Sequence, residues 1–414
     1  MSRTARIATS LLAIFAILAI GALVAAGATG GPPATVTSAC GAATPSAYDS
    51  TALAAVLRIA AGERDGNAVH RAVHTIETNA ALLSAVSARD PVATRSAVLA
   101  LVFNHMHIVR LRVSAGGTLL ADVGGPRVLA PVQGKLRSGG RVLATFTMSL
   151  QDDLGYELLI SRLVGQHSVM SFRGKLVLRD IAAQPATLPN SGTTLVRGVR
   201  YLVHSFYVGH FPSGRLRVWL LVRAPARSLA RKPCAQVRAD EAAAIARLAY
   251  SRASRGSAVQ FALNALSKEH DLPVALAAGD YASASTLVTG LVGRGGFGGL
   301  QVLVGGHLVA AAGGTDPLIS PVRAPILDAG GAVIARAVLA VQNASGYAYL
   351  AHYLTGDPVL VRSGAKQLGG TFPGPAVLPN SGRVSYRGVY YRVSSFAGVR
   401  YPSGPLRVYV LAAG

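Results

Sequence analysis

Apolar residues recur at spacings of three and four over Val69, Val73, Ile76, Ala80, Leu83 and Val86, which predicts one buried helix face. Arg89-Asp90-Pro91 interrupts it, and residues 92–102 read as a second helix. The period then changes to two. Residues 108–113 alternate apolar and basic side chains, Gly116-Gly117 supplies a turn, and residues 118–123 complete a hairpin. A Pro-containing loop is expected over 124–137, then a strand over 141–150 and a helix over 151–164 with Gly155-Tyr156 in its first turn. Strands at 168–172, 199–206 and 216–222 close the unit.

The same text returns further on. Residues 188–222 and 378–412 align without a gap at an offset of 190 and match at 19 of 35 positions. Chance does not produce that, so the chain is a duplication. The second copy predicts a helix over 242–267 with Asp240 as N-cap, and another over 281–292 after Gly279-Asp280. Strands follow at 301–304 and 307–312 around Gly305-Gly306, then a loop over 313–329, a strand over 332–341 and a helix over 342–354. Helices set beside antiparallel hairpins define an α+β class. The expected division is 1–28 signal peptide or signal anchor, 29–52 flexible linker, 53–223 first module, 224–239 basic Pro-containing linker and 240–414 second module.

Composition sharpens this picture in one respect. The net charge is +22, from 40 basic and 18 acidic residues, and nearly all of the bases are Arg. Such a surface is attracted to anionic lipid, wall polymer or small anions. Nucleic acid is not the expected partner, because the arginines are spread through strands and loops and no nucleic-acid-binding signature is present.

The N-terminus sets the compartment. Arg3 and Arg6 precede an uncharged apolar run over residues 11–26, and Ala26-Gly27-Ala28 offers small residues suited to cleavage. The run is at the lower limit for spanning a bilayer, so either a cleaved leader or an anchor is expected, with the remainder outside the cell membrane. Cys40 and Cys234 precede the helices of their respective copies, and a disulfide between them suits an oxidising exterior. No C-x-x-C or Cys/His metal spacing occurs.

The order of elements resembles Cache domains, the PAS-like extracellular sensor modules of bacteria. The segments RLRVSAGGTLLADVGG and LQVLVGGHLVAAAGG stand where that family has its first hairpin. The resemblance covers residues 55–222 and 240–412 and implies two single-type modules in tandem, each an antiparallel sheet with a long N-terminal helix. It implies a sensor that binds a small-molecule ligand. That family's members usually carry a transmitter region, which is not seen after the last strand here, so direct signalling by this chain is not expected; a membrane signalling partner is the accompanying expectation.

Candidate chemistry is sparse. His70/His74 and His105/His107 place imidazoles on common faces, but no metalloprotease pattern accompanies them, and Gln260 and Asn264 replace the first pair in the second copy. Asp152-Asp153 at a helix start reads as an N-cap. Ser191-Gly192 and Ser213-Gly214 read as turns. No nucleophile has a base and an acid beside it, so no enzyme, cofactor or metal is expected. A PAS-like cavity would lie between sheet, Pro-containing loop and short helix. Its candidates are Arg112, Arg127, Tyr156, His204 and Ser205 in the first copy, and Arg323, Tyr347, Tyr349, Arg362 and Ser394 in the second. Arginine there favours a carboxylate or phosphate ligand. The other reading of the chain is a basic structural protein held to an anionic membrane or wall surface.

Overall fold

The computed structural model describes residues 44–104, 108–224, 232–294 and 296–414. The leader, most of the 29–52 linker, Cys40, His105 and His107 lie outside the described residues. The chain divides into two compact units, built on Ala52–Ala226 and Arg227–Gly414.

The first repeat opens with helices α1 (Thr44–Asp65), α2 (Asn67–Glu77), α3 (Ala80–Ser87) and α4 (Pro91–Asn104). The second has their counterparts α6 (Cys234–Arg255), α7 (Ser257–Ser267), α8 (Asp271–Ala277) and α9 (Tyr281–Arg294). Between the members of each leading pair stands a glycine in extended conformation, Gly66 or Gly256. A Cβ there would come within 2.4 Å of the Gly62 carbonyl oxygen or 2.7 Å of the Arg252 carbonyl oxygen, so the bend needs glycine. This breaks the helix expected over 242–267. Helix α1 also occupies the end of the 29–52 segment, and α6 starts inside the 224–239 segment, so both linkers are shorter than their composition suggested.

Six strands follow the helices, then a short helix, then five more. In the first repeat these are β1 (Arg110–Ala115), β2 (Thr118–Gly124), β3 (Val128–Leu129), β4 (Val132–Ser138) and β5 (Arg141–Ser149). Next come β6 (Gln151–Asp152), α5 (Asp153–Leu159) and one wide turn of π-helix over Ile160–Val164. The strands β7 (His167–Phe172), β8 (Lys175–Arg179), β9 (Ser191–Val196), β10 (Val199–Gly209) and β11 (Arg215–Arg223) end the repeat. They form a four-stranded sheet β2-β1-β5-β4, a five-stranded sheet β8-β7-β11-β10-β9 and a two-stranded pair β3-β6, all antiparallel.

The second repeat reproduces this order. Its strands are β12 (Gly299–Val304), β13 (His307–Gly313), β14 (Leu318–Ile319), β15 (Val322–Leu327), β16 (Val333–Ala340) and β17 (Gln342–Asn343). After α10 (Ala344–Thr355) come β18 (Val359–Ser363), β19 (Lys366–Gly370), β20 (Ser381–Tyr386), β21 (Val389–Val399) and β22 (Pro405–Ala413). The sheets are β13-β12-β16-β15, β19-β18-β22-β21-β20 and the pair β14-β17.

The α+β class expected from the sequence, with antiparallel sheets beside N-terminal helices, is what the molecule shows. Each repeat nevertheless divides its strands between two sheets with the same winding, where a single sheet per repeat was expected. The extra strands fell in text read as loop. Within 124–137, β4 buries only Leu136, and β15 contains Pro325; both are edge strands, where polar residues and a missing N–H are tolerated. The hairpins at Gly116-Gly117 and Gly305-Gly306 form as read, with all four glycines at positive φ.

Two cores per unit hold the layers together. In the first, Val69, Ile76, Leu82, Val86, Val98 and Leu101 pack against Leu111, Val113, Phe146 and Met148 of the four-stranded sheet. Val169, Val203, Trp219 and Leu221 form a smaller cluster on the five-stranded sheet. The long helix is tied in by a buried tyrosine. The Tyr156 hydroxyl donates to the Val56 carbonyl at 3.4 Å, and in the second unit Tyr347 donates to Ala246 at 2.8 Å.

Candidate functional site

In the second unit, the start of β12, the end of β13 and the loop after it face β19 and the turn following β21. They enclose a cavity of about 480 Å³. Gly299 and Gly313 are register partners at one wall. The turn is pinned to β14, because Tyr401 N donates to the Leu318 carbonyl at 3.0 Å and Ser320 N donates to Val399 at 2.9 Å. A Cβ on Gly299 would meet Leu318 Cδ1 at 2.7 Å and the Tyr401 ring at 3.1 Å, so glycine keeps this wall thin.

The lining is cationic on balance. Lys366 and Arg400 border the cavity, and neither side chain makes a hydrogen bond or ion pair with another described residue. Asp316 is the opposing acid and accepts a hydrogen bond from Asn343 Nδ2 at 3.3 Å. Gln301 and the Tyr401 phenol add polar groups, and Leu318 and Leu368 an apolar side. Burial pushes the Tyr401 hydroxyl up to about 12, so it stays protonated at neutral pH and can donate a hydrogen bond.

The first repeat fills the corresponding place with its own side chains. Arg110 stands where the second copy has Gly299, and Asp122 where it has Ala311. The Arg110 guanidinium is bidentate to Asp122, at 2.7 and 2.9 Å, and donates to the Gly125 carbonyl at 3.0 Å. It lies 4.7 Å from the ring centroid of Phe211, the counterpart of Tyr401. Arg127 Nη1 adds a bond to the Val177 carbonyl at 3.0 Å, across from where the second copy has Leu368.

A second cavity, about 610 Å³, is a trough on the edge strand β4, beside Glu77, Lys135 and Arg137. Arg137 there donates to the Gly140 carbonyl.

None of the ten residues proposed from the sequence lines either cavity. Arg112 and Arg127 come nearest in kind, being the first-repeat counterparts of Gln301 and Pro317. Tyr156 and Tyr347 are fully buried anchors, and burial holds both hydroxyls above the usual range. Ser205 accepts a hydrogen bond from Arg217 Nη2 at 3.0 Å, next to His204 on β10. Arg362 is buried and clamps a loop, donating to the Ala376 and Pro375 carbonyls at 2.8 and 2.5 Å. Ser394 pairs in register with Ser381 and Val410, while Arg323 and Tyr349 are exposed.

Asp152 caps α5, accepting from Gly155 N at 2.7 Å, and Asn343 does the same for α10. Burial, and then the neighbouring Asp152, push the Asp153 carboxyl up to about 6 against the pull of Arg127 at 3.9 Å. His70 and His74 lie on the exposed side of α2, and no group of three potential ligands is placed to hold a metal ion among the described residues. Cys234 is disulfide-bonded. No helix among the described residues is long and apolar enough to cross a membrane.

No family model matches this chain, and no curated protein does. Solved structures with some likeness include the periplasmic domain of Vibrio cholerae LuxQ, at 12% identity and a TM-score of 0.26 over 41% of this chain and all of that one. An extracellular ligand binding receptor from Desulfohalobium retbaense DSM5692 aligns at 11% identity and a TM-score of 0.26, over 54% of this chain and 47% of the receptor. The chain therefore spans about half of that receptor. At these scores the architecture rests on the sheet orders described above.

Proposed function

We propose that the chain is an exported, non-catalytic, sensor-like protein that binds a small anion of the carboxylate or phosphate class. The site is the cavity bordered by Lys366, Arg400 and Tyr401 in the second repeat. The observation that carries this reading is two cations without a partner among the described residues, bordering an open cavity at the place where the first repeat has its Arg110–Asp122 pair. A carboxylate or phosphate would supply the partners that Lys366 and Arg400 lack, through charge-assisted hydrogen bonds. Export is supported by the N-terminal apolar run, and Cys40 is proposed as the partner of Cys234, since the chain has two cysteines. A membrane-bound partner would carry the signal onward.

Isothermal titration of the purified exported chain with benzoate, succinate and inorganic phosphate tests the reading. At least one of the three is expected to bind, and to raise the melting temperature in proportion to saturation. Arg400→Ala and Lys366→Ala are each expected to weaken that binding by about tenfold or more, the usual loss for a hydrogen bond to a charged group. Silence from all three probes at millimolar concentration would overturn the proposal.

A further inference from the structure

The strand β21 outruns its neighbour. β20 pairs with it only as far as Ser394, so at Val399 the backbone has no strand on that side. A side chain from the long helix takes over. Tyr250 of α6 receives a hydrogen bond from Val399 N at 2.7 Å and donates one to the Val399 carbonyl at 3.0 Å. Burial holds its hydroxyl above the usual range, so it can donate at neutral pH. Its ring stands edge-on to Tyr347 and Phe396, with centroids 5.6 and 5.8 Å away. Glycine makes the approach possible, because a Cβ on Gly398 would meet the Tyr250 hydroxyl at 2.7 Å. Val399 is followed directly by Arg400 and Tyr401, which border the cavity.

The first repeat has the turn but not the tie. Ala130 N donates to the Gly209 carbonyl at 3.0 Å and Phe211 N to the Val128 carbonyl at 3.0 Å, as Ser320 and Tyr401 do in the second copy. At the offset of 190, however, Tyr250 corresponds to Ala60 and Gly398 to Val208. The large and the small residue have changed places together. The contact of the turn with β3 or β14 is therefore common to both copies. The helix hydroxyl belongs only to the copy in which Lys366 and Arg400 have no partner among the described residues.

We infer that Tyr250 is a positioning residue of the anion site: it holds the Arg400–Tyr401 turn from α6, so that anion binding and the docking of this end of α6 stabilise each other. This rests on the small-anion reading above and names the contact that regulates that site. Arg400 is long and rotatable, and its reach along the cavity depends on where its backbone is held. Fixing that backbone in advance removes part of the ordering cost an anion would otherwise meet. Linkage makes the effect reciprocal. An anion on Arg400 tightens the Tyr250 contact by the same factor as the contact tightens the anion.

The test pairs calorimetric titration of the exported chain, using benzoate, succinate and inorganic phosphate, with amide hydrogen exchange. Tyr250→Phe deletes the hydroxyl and keeps the ring. It is expected to weaken whichever probe binds by about threefold or more, the worth of an ordinary hydrogen bond. In the unaltered chain, a saturating probe is expected to slow amide exchange in the last turns of α6, and in Tyr250→Phe that slowing is lost. A tyrosine with a merely structural role would lower the melting temperature and leave both the affinity and the probe-dependent protection of α6 as they were. Should Tyr250→Phe fail to fold, the double variant Y250A/G398V borrows the first repeat's own pair and is expected to show the same loss of affinity. Unchanged affinity in either folded variant, or α6 exchange in the unaltered chain that ignores a saturating probe, would overturn the inference and leave the small-anion reading standing. Silence from all three probes in the unaltered chain removes both.

Discussion

Tyr156→Ala is expected to destabilise the first unit by about 3–5 kcal/mol, the usual range for deleting a buried aromatic side chain. Tyr156 is 1% exposed and reaches from α5 to the backbone of α1, so its loss opens a cavity and frees the long helix at one of its ties. Tyr156→Phe keeps the ring and is expected to cost only about 0.5–1.5 kcal/mol, because the 3.4 Å hydroxyl contact is long for a hydrogen bond. The chain has one tryptophan, Trp219, buried on β11 in the same unit. Its fluorescence in a urea titration therefore reports this unit. A shift for Tyr156→Ala no larger than that for Tyr156→Phe would show that the ring is not an anchor.

The second large effect is a pH dependence centred on Glu63. Burial raises its carboxyl to about 7, partly opposed by the nearby Gln151 side chain, while the unfolded chain releases that proton near the ordinary value of 4.5. Between those pH values the folded state holds more protons than the unfolded state, so stability is greatest at the acid side and falls as pH rises through the window. A shift from 4.5 to about 7 corresponds to roughly 3 kcal/mol at most, reduced by whatever solvent reaches the partly covered side chain. Asp153, pushed up to about 6, acts in the same direction. The second copy has alanine here, Ala253, which is buried. Glu63→Ala is therefore expected to raise first-unit stability at pH 8 by about 2–3 kcal/mol, and by far less at pH 5. Equal changes at both pH values, read from the Trp219 urea midpoint, would refute the assignment.

Much of the fold was legible because hydrophobic period reports burial directly. The glycine-doublet hairpins and most of the apolar face over residues 69–86 were readable for that reason, but the single helix expected there is two, α2 and α3, broken at Thr78-Asn79 with Asn79 capping the second. What escaped was structure whose side chains are not buried. The edge strands β4 and β15 carry Gln133, Lys135, Arg137, Arg323 and Pro325, and nothing in such text separates a strand from a loop. Consequently the division of each repeat into two sheets was hidden. Helix α1 was missed as well, since its face is built largely from alanines such as Ala52 and Ala55, which leave a weak periodic contrast.

The cavity was illegible for a different cause. The sought signal was polar residues converging on a pocket, and several of the nominated side chains are anchors or clamps inside the protein: Tyr156, Tyr347 and Arg362. The informative positions are the small ones, Gly299 and Ala311, which acquire meaning only when set against Arg110 and Asp122. That comparison was available from the duplication itself, at an offset of 189 instead of 190, but a gapless alignment of the closing strands does not reach it.

Having the same winding in both halves makes each half an internal reference for the other. A substitution can be borrowed from its twin instead of invented, as with Ala253 for Glu63 or Ala60 and Val208 for Tyr250 and Gly398, and the donor half testifies that the borrowed residue is compatible with the architecture.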